Sequence, residues 1–242
     1  MRWAAFLIIL MTEAWSSPPP CTAWQVKVRT HPVQKYKRAD GTDYSKAGRD
    51  EHCRDKFPKV TQWQNRFVDT APPGWPEIDE KFKPWSQAEK ELVMKALSIQ
   101  PLALRNLKTL IARGTRSSKS RNPGTAVKNL NTVALYDEFF SSGEQLRILT
   151  HELSHLYLHE LELDKLGRLA TEIGWRDPGK GPLVRRKEIV LLRPDSGQSF
   201  TEDVANHLED YFHDRKNLCQ KFPRRCEMIR HLVGSDFDTE TK

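Results

Sequence analysis

The chain has 242 residues, of which 38% are hydrophobic and 29% are charged, and its formal net charge is +7. These values exclude a disordered protein, because the chain carries enough apolar side chains to build one sizeable core or a core with a smaller lobe. Its basic residues concentrate in 27–38, 105–128 and 185–187, without the interleaved aromatic residues that a nucleic-acid surface needs. We therefore expect no nucleic-acid partner. The basic segments are interpreted as solvated faces or, as the second interpretation, as a patch for an anionic cell-envelope surface.

Residues 1–16 have the pattern of a secretory signal peptide. Arg2 provides a positive start, residues 3–11 form an apolar run, and 14–16 form a small-x-small cleavage site. We therefore expect an exported protein, periplasmic or secreted, whose mature chain begins near Ser17. A retained membrane anchor is the alternative, but the run is shorter than the ~20 apolar residues that a spanning helix requires, and no longer run follows.

Residues 17–80 predict an irregular N-terminal extension, because they are rich in proline, glycine and charge and show no sustained helical period. Four cysteines remain after the signal peptide, an even number that favours two disulfides in an exported chain. Cys219 and Cys226 are close in sequence and are expected to pair, which leaves Cys21 to pair with Cys53 and staple the extension. Three pairings are open to four cysteines. Zinc binding by the cysteines is the weaker alternative, since no CxxC spacing occurs.

Two helices are predicted after the extension. Ser86, with Glu89 three residues later, forms a capping box that predicts a helix through Leu97. Pro101 predicts the start of a second helix that runs to about Arg113.

A loop and a strand are predicted next. Residues 114–123 indicate a basic, exposed loop. Residues 131–140 combine β-branched and aromatic side chains, which predicts a strand through 132–136.

The run His151-Glu152-Leu153-Ser154-His155 places two imidazoles and a carboxylate on one side of a single predicted helix. Four residues advance an α-helix by about 400° and about 6 Å, so His151 and His155 lie on adjacent turns and can share one metal ion. Glu152 falls beside the pair, where it can take a proton from an attacking water and pass it to a leaving amine. This is the HExxH pattern of zinc peptidases, and it predicts zinc. The alternative is a surface helix that carries two histidines by chance.

The helix that carries this motif is predicted to be mostly buried. Its apolar stripe lies opposite the histidine pair and consists of Leu146, Leu149, Leu153, Leu156 and Tyr157. Ser141 with Glu144 predicts a capping box that begins the helix at about residue 142. In HExxH peptidases a strand before this helix commonly presents an edge to the substrate backbone, and the strand predicted at 132–136 has that place in the sequence. A purely structural strand fits the same pattern.

Two histidines leave a catalytic zinc site one protein ligand short, so another part of the chain must supply a carboxylate or an imidazole. Residues 199–212 predict a second capped helix with an apolar stripe. Its run Glu202-Asp203-Val204-Ala205 resembles the Glu-x-aromatic-Ala pattern of bacterial gluzincins related to the lethal-factor type, although Val204 replaces the usual aromatic residue. The resemblance covers about 85–215 in the order of elements, and only HELSH and TEDVA are specific.

In gluzincins the third zinc ligand is a glutamate on a separate helix, so the resemblance implies Glu202 as the ligand and Thr201 as the approximate helix cap. Asp203 and, less strongly, His207 remain alternative ligands. A partner for a ligating imidazole and a donor for the oxyanion should also exist. The expected residues for these roles are Asn206, Tyr211 and His207, with Tyr157 and Tyr136 as further options.

Together these patterns predict an α+β, mainly helical, zincin-like domain over 81–242, with a small sheet and the metal between two helices. The expected function is an exported zinc metallopeptidase that acts on a protein or peptide, and residues 174–198 are expected to rim its cleft. One alternative is a cell-wall peptide amidase or endopeptidase, which the basic charge and export favour. The other is a non-catalytic, zinc-containing protein that binds the cell envelope.

Overall fold

The computed structural model describes residues 21–28, 34–37, 43–46, 52–76, 80–115, 122–179, 181–186 and 190–234. The predicted signal peptide, residues 1–16, lies outside the described residues, and so does most of the predicted basic loop, at 116–121. By its internal contacts the chain divides into two compact units, residues 1–56 and 57–242.

The described part of the first unit consists of short strands and turns. Its strands are β1 (Gln25–Val28), β2 (Gln34–Lys37), β3 (Asp43–Lys46) and β4 (His52–Asp55). β1 pairs with β4 and β2 pairs with β3, both antiparallel. Cys21 forms a disulfide with Cys53, as expected, and this bond joins β4 to the segment ahead of β1. The unit fits the irregular N-terminal region that the sequence predicts.

The second unit combines one five-stranded sheet with helices. Its described elements are, in chain order, a 3-10 helix (Pro58–Trp63), β5 (Phe67–Val68), β6 (Lys81–Phe82), α1 (Gln87–Ile99), α2 (Leu102–Arg105), β7 (Leu110–Thr115), β8 (Gly124–Val127), a 3-10 turn (Lys128–Leu130), β9 (Thr132–Leu135), α3 (Asp137–Ser141), α4 (Gln145–Glu160), α5 (Leu163–Ile173), β10 (Trp175–Arg176), β11 (Val184–Arg185), a 3-10 turn (Asp195–Gly197), α6 (Phe200–His213), α7 (Arg215–Lys221) and α8 (Pro223–Val233). The architecture is therefore α+β and mainly helical, as expected.

The sheet has the strand order β5-β7-β9-β8, and β6 also pairs with β7. β5, β7 and β9 are parallel, whereas β8 runs antiparallel to β9 at the edge. β10 and β11 form a separate two-stranded ribbon. In the described part of the chain, no helix is both long enough and apolar enough to cross a membrane.

The boundary of the second unit differs from the predicted one. Phe67–Val68 pairs with the central strand β7, and the buried indole N–H of Trp63 donates to the carbonyl oxygen of Arg105 at 2.7 Å. Residues 57–80 therefore belong with the main unit and not with the extension. The sequence does not indicate this boundary, because the segment is irregular and its attachment depends on pairing with residues more than 40 positions away.

The capping box at the start of α1 is confirmed. The Ser86 hydroxyl accepts from the Glu89 N–H at 3.2 Å, and the Ser86 N–H donates to the Glu89 carboxylate at 3.0 Å. The helix predicted from Pro101 to Arg113 was wrong beyond its first turn. α2 ends at Arg105, and Leu110–Thr115 forms the central strand, whose main chain pairs with β9 on one side and with β5 and β6 on the other.

The capping box predicted at Ser141 and Glu144 does not form. Ser141 ends the separate helix α3, and Gly143 adopts a positive φ of 73° between the two helices. α4 therefore begins at Gln145 and not at residue 142, with Glu144 in the capping position but without a side-chain cap.

The motif helix α4 packs against α6 and the edge strand β8. Its predicted apolar stripe is confirmed at three positions that are buried, Leu149, Leu153 and Leu156. This packing brings the face of α4 that carries the HExxH motif toward the first turns of α6.

Candidate metal centre

Three ligand groups converge between α4 and α6. His155 Nε2 lies 3.2 Å from His151 Nε2, and Glu202 oxygens lie 3.2 Å from His151 Nε2 and 3.3 Å from His155 Nε2. In the described residues these three side chains form the group that could hold a metal ion. The predicted histidine pair and the glutamate implied by the resemblance are thus brought together.

The separations among these atoms fit a four-coordinate metal. Ligand atoms at zinc–nitrogen and zinc–oxygen bond lengths of about 2.0–2.1 Å, arranged tetrahedrally, lie about 3.3 Å from one another. The observed separations of 3.2, 3.2 and 3.3 Å match this spacing. One small ion can therefore contact all three groups without a change of backbone.

Glu202 is placed by the start of α6. The Ser199 hydroxyl caps this helix and accepts from the Glu202 N–H at 3.1 Å, so that Ser199, rather than Thr201, is the cap. Hydrogen bonds from His151 and His155 hold the pKa of the Glu202 carboxyl well below its usual range, against the opposing effect of burial. The side chain is thus a carboxylate, as a metal ligand must be.

Asp203 and His207, the alternative ligands, lie elsewhere. The Asp203 carboxylate accepts from the Trp175 indole N–H at 2.9 Å and lies 3.3 Å from His207 Nδ1. His207 also donates from Nδ1 to the Asp203 carbonyl oxygen at 2.6 Å, and both side chains are fully buried. Neither lines the cavity at the metal centre. Successive residues of an α-helix point about 100° apart, so Asp203, the residue that follows Glu202, faces the core.

Glu152 is buried beside the ligand pair, with 8% of its surface exposed. Burial raises the pKa of its carboxyl, which the nearby His151 and His155 partly offset. The main-chain N–H of Ala126 on β8 donates a hydrogen bond to this carboxylate. A carboxyl group with a raised pKa in a cleft is suited to accept and return a proton near neutral pH.

Gly124 is required where β8 passes Glu152. A Cβ at this position would lie 2.8 Å from Glu152 Cγ and 3.1 Å from Glu152 Oε1. The missing side chain therefore lets the strand lie directly against the carboxylate.

The strand that presents an edge to the cleft is β8, and the strand predicted at 132–136 is the purely structural strand of the two alternatives. β9 lies inside the sheet between β7 and β8, and all four of its residues are buried. The Tyr136 N–H donates to the Pro123 carbonyl oxygen at 3.0 Å, and alternate residues of an antiparallel pair exchange such bonds. The main-chain groups of Gly124 and Ala126 therefore face away from β9, toward the cleft. β8 escaped the sequence reasoning because its four residues show no alternation.

Glu209 contacts one of the two histidines, and the sequence did not identify it as part of the site. Its Oε2 lies 3.3 Å from His151 Nδ1, on the side of the ring opposite the ligand atom Nε2. Burial would raise the pKa of the Glu209 carboxyl, but His151 and two arginines, Arg193 and Arg147, lower it to about 2. The spacing of seven residues from Glu202, two helical turns on the same face, is the signal that could have found it.

His151 is held between two carboxylates. Burial lowers the pKa of an imidazole, but hydrogen bonds to Glu202 and Glu209 outweigh that effect and raise the pKa of His151 to about 10 in the metal-free protein. A metal ion that binds Nε2 must therefore displace a proton.

The residues predicted to assist the centre are dispersed. Asn206 lines the cavity, but its amide donates to Asp195 and Ser196 at 3.0 Å each and does not contact the histidines. Tyr211 is buried beneath the guanidinium of Arg215 and does not line the cavity. The Tyr136 hydroxyl donates to Glu80 at 2.7 Å, and neither Tyr136 nor Tyr157 lines the cavity.

The cleft above the three ligand groups has a volume of about 470 Å³. Its walls are formed by β8, α4, the start of α6 and the segment 193–198. The expectation that residues 174–198 rim the cleft is met by the last part of this range, which contributes Arg193, Asp195 and Gln198. A metal ion at this site would thus be open to a ligand from solution.

The second disulfide lies outside the cleft. Cys219 at the end of α7 pairs with Cys226 on α8, as the sequence predicts. Two disulfides, together with the lack of a membrane-spanning helix among the described residues, are consistent with an exported protein.

The chain was compared with models of known protein families, with curated proteins and with solved structures, and none of the three comparisons finds a match.

Proposed function

We propose that the protein is an exported zinc-dependent metallopeptidase of the gluzincin type. The observation that carries the proposal is the set of tetrahedral separations among His151 Nε2, His155 Nε2 and the Glu202 carboxylate. Two imidazoles and one carboxylate with an open position are a ligand set of catalytic zinc. A bound zinc ion supplies Lewis acidity, which lowers the pKa of water and polarises a carbonyl group.

Glu152 is the proton carrier of the proposed reaction. Its carboxylate takes a proton from the water that attacks a peptide carbonyl, and the protonated acid then gives that proton to the leaving amine. The raised pKa of this buried carboxyl supports both transfers, since a strongly acidic group would not hold the proton between them. The Ala126 N–H keeps the side chain oriented toward the cleft.

The edge strand β8 gives the substrate its orientation in this proposal. The main-chain groups of Gly124 and the carbonyl oxygen of Ala126 face the cleft and are available to pair with an extended peptide, while the Ala126 N–H is used by Glu152. Such pairing involves the backbone of the substrate and not its side chains, so it fits a protein or peptide substrate in general.

The open cleft also bears on the non-catalytic alternative. A structural zinc site has four protein ligands and no open position. Among the described residues only three ligand groups meet, and they border a cavity of about 470 Å³. This arrangement favours catalysis over a zinc site that only stabilises the fold.

Zinc content and peptide hydrolysis test the proposal together, with wild type beside Glu152→Gln and a mixed peptide library as the substrate. The proposal predicts about one zinc per chain in both proteins and cleavage by the wild type alone. Equal cleavage by Glu152→Gln would refute the role of Glu152, and a wild type that holds zinc without cleaving any peptide would refute the peptidase. Hydrolysis of purified cell wall but not of casein would favour the amidase or wall endopeptidase.

A further inference from the structure

Two adjacent carboxylates on α6, Glu209 and Asp210, share the same two arginines. Arg147 on α4 donates from Nε to Glu209 at 2.8 Å and from Nη2 to Asp210 at 2.9 Å. Arg193 donates from both terminal nitrogens to Glu209 at 2.9 Å and also contacts Asp210. The four side chains form a charge-balanced cluster, and three of them, Arg147, Arg193 and Glu209, line the cleft.

Only one of these two carboxylates contacts the metal centre. Glu209 Oε2 lies 3.3 Å from His151 Nδ1, whereas the contacts of Asp210 in the described residues are with the two arginines. A carboxylate at Nδ1 places the hydrogen of a neutral imidazole on that nitrogen, which leaves the lone pair of Nε2 directed at the metal. The forked contact with Arg193 fixes the plane of the Glu209 carboxylate.

Arg193 belongs to the cleft rim and not to either ligand helix. Its guanidinium also donates to the Asn206 side-chain oxygen at 3.2 Å, and Asn206 in turn donates to Asp195 and Ser196. The rim segment 193–198 is therefore attached to α6 by buried and partly buried polar contacts. Through Glu209, the same contacts reach a ligand of the metal.

We propose that Glu209 and Arg193 are positioning residues of the metal centre, in which Glu209 orients the His151 ring and Arg193 orients Glu209. The inference rests on the proposed function and extends it, because it makes metal retention depend on a residue of the cleft rim that touches neither the metal nor a ligand.

The test compares two isosteric variants, Glu209→Gln and Asp210→Asn. Each removes one negative charge from the same arginine cluster, but only Glu209→Gln alters the partner of His151. Zinc affinity is measured by competition with a chelating indicator, and the unfolding temperature of each metal-free protein reports the structural cost. We expect Glu209→Gln to weaken zinc binding about 10- to 100-fold and Asp210→Asn to leave it near the wild-type value. Equal zinc affinity in both variants would overturn the role of Glu209.

Arg193→Lys tests the second half of the proposal. Lysine keeps the charge but cannot form the forked contact, so we expect weaker zinc binding than in the wild type and a smaller loss than in Glu209→Gln. The absorption spectrum of the cobalt-substituted protein reports ligand geometry directly. It should change in Arg193→Lys and Glu209→Gln and stay the same in Asp210→Asn. An unchanged spectrum and affinity in Arg193→Lys would remove Arg193 from the proposal.

The failure of this inference is distinct from the failure of the proposed function. If the wild type binds zinc and all three variants bind it equally, only the positioning role is lost. If the wild type binds no zinc, both proposals are refuted.

Discussion

Glu202 and Asp203 are neighbours on α6, yet their carboxylates serve different parts of the molecule. The Glu202 carboxylate lies 3.2 Å from His151 Nε2, whereas Asp203 accepts a hydrogen bond from Trp175 and is fully buried. One helical step thus separates a proposed metal ligand from a buried carboxylate that contacts the core.

This relationship predicts opposite effects of two isosteric substitutions. Glu202→Gln should weaken zinc binding about tenfold or more and leave the metal-free fold intact, because an amide is a poor metal ligand. Asp203→Asn should keep zinc affinity and lower the free energy of unfolding by roughly 1–3 kcal/mol, because bonds to a charged group are lost in the core. Chelator competition and urea unfolding measure the two effects. Loss of zinc in Asp203→Asn but not in Glu202→Gln would reverse the assignment.

Local rules were sufficient to predict the histidine pair and the first capping box, whereas Glu202 was implied by the resemblance to gluzincins and not by its spacing. His151 and His155 share one helix face by their spacing, and the Ser86–Glu89 capping box depends on a single turn. Both disulfides also pair as the sequence predicts.

The strands, and the carboxylate that contacts His151 Nδ1, could not be predicted without the tertiary structure. Leu110–Thr115 begins with three apolar residues that suit a helix or a strand, and pairing with β5 and β9 decides the outcome. The strand Gly124–Val127 shows no alternation of polar and apolar residues. Its contact with Glu152 appears only in the folded structure. Glu209 contacts His151 because α6 packs against α4, and the arginine that binds the Glu209 carboxylate, Arg193, comes from a segment that has no helical period.

A methyl group added at Gly124 on β8 should displace Glu152, the proposed general base, without contacting a proposed metal ligand. In Gly124→Ala the new Cβ would meet Glu152 Cγ at 2.8 Å, so the side chain or the strand must shift. We expect a loss of peptide hydrolysis of about tenfold to 100-fold with full zinc content, since small displacements of a catalytic group cost this much.

Gly167→Ala is the matched control for this change. Gly167 lies in α5, and a Cβ there would meet no atom within 4 Å. This variant should keep its activity and gain about 0.5–1 kcal/mol of stability, because alanine is the better helix former. Equal activity of the two variants would show that β8 does not constrain Glu152.

Metal binding should release a proton near neutral pH. The pKa of His151 rises from 6.5 to about 10 in the metal-free protein, so the ring is protonated at pH 7.5 and must lose its proton to bind a metal. Calorimetric titration of zinc in buffers with different ionisation enthalpies measures the number of protons released. We expect about one proton from His151 at pH 7.5 and rising zinc affinity up to about pH 10. Titration curves that do not depend on the buffer would contradict the arrangement.

The same rise in pKa affects the stability of the metal-free protein. A folded-state pKa above the unfolded value means that the imidazolium stabilises the fold fully below pH 6.5. This contribution is lost as the pH increases through about 10.

His213 should change the pH dependence of stability in the opposite direction. Burial and the charge of Arg147 lower the pKa of His213 to about 4, and the ring contacts the Thr150 hydroxyl at 2.8 Å. The unfolded chain therefore binds a proton before the folded chain does, and stability should fall as the pH drops from 6.5 to about 4. The free energy of unfolding of His213→Gln should depend less steeply on pH over this range. An identical slope in the wild type and the variant would contradict the expected shift.

The metal centre itself is tested most directly by anomalous diffraction at the zinc absorption edge, from crystals of the protein prepared with zinc. We expect one anomalous peak at about 2.0–2.1 Å from Nε2 of His151, from Nε2 of His155 and from a Glu202 oxygen. A peak elsewhere, or no peak between α4 and α6 in zinc-loaded crystals, would contradict this expectation.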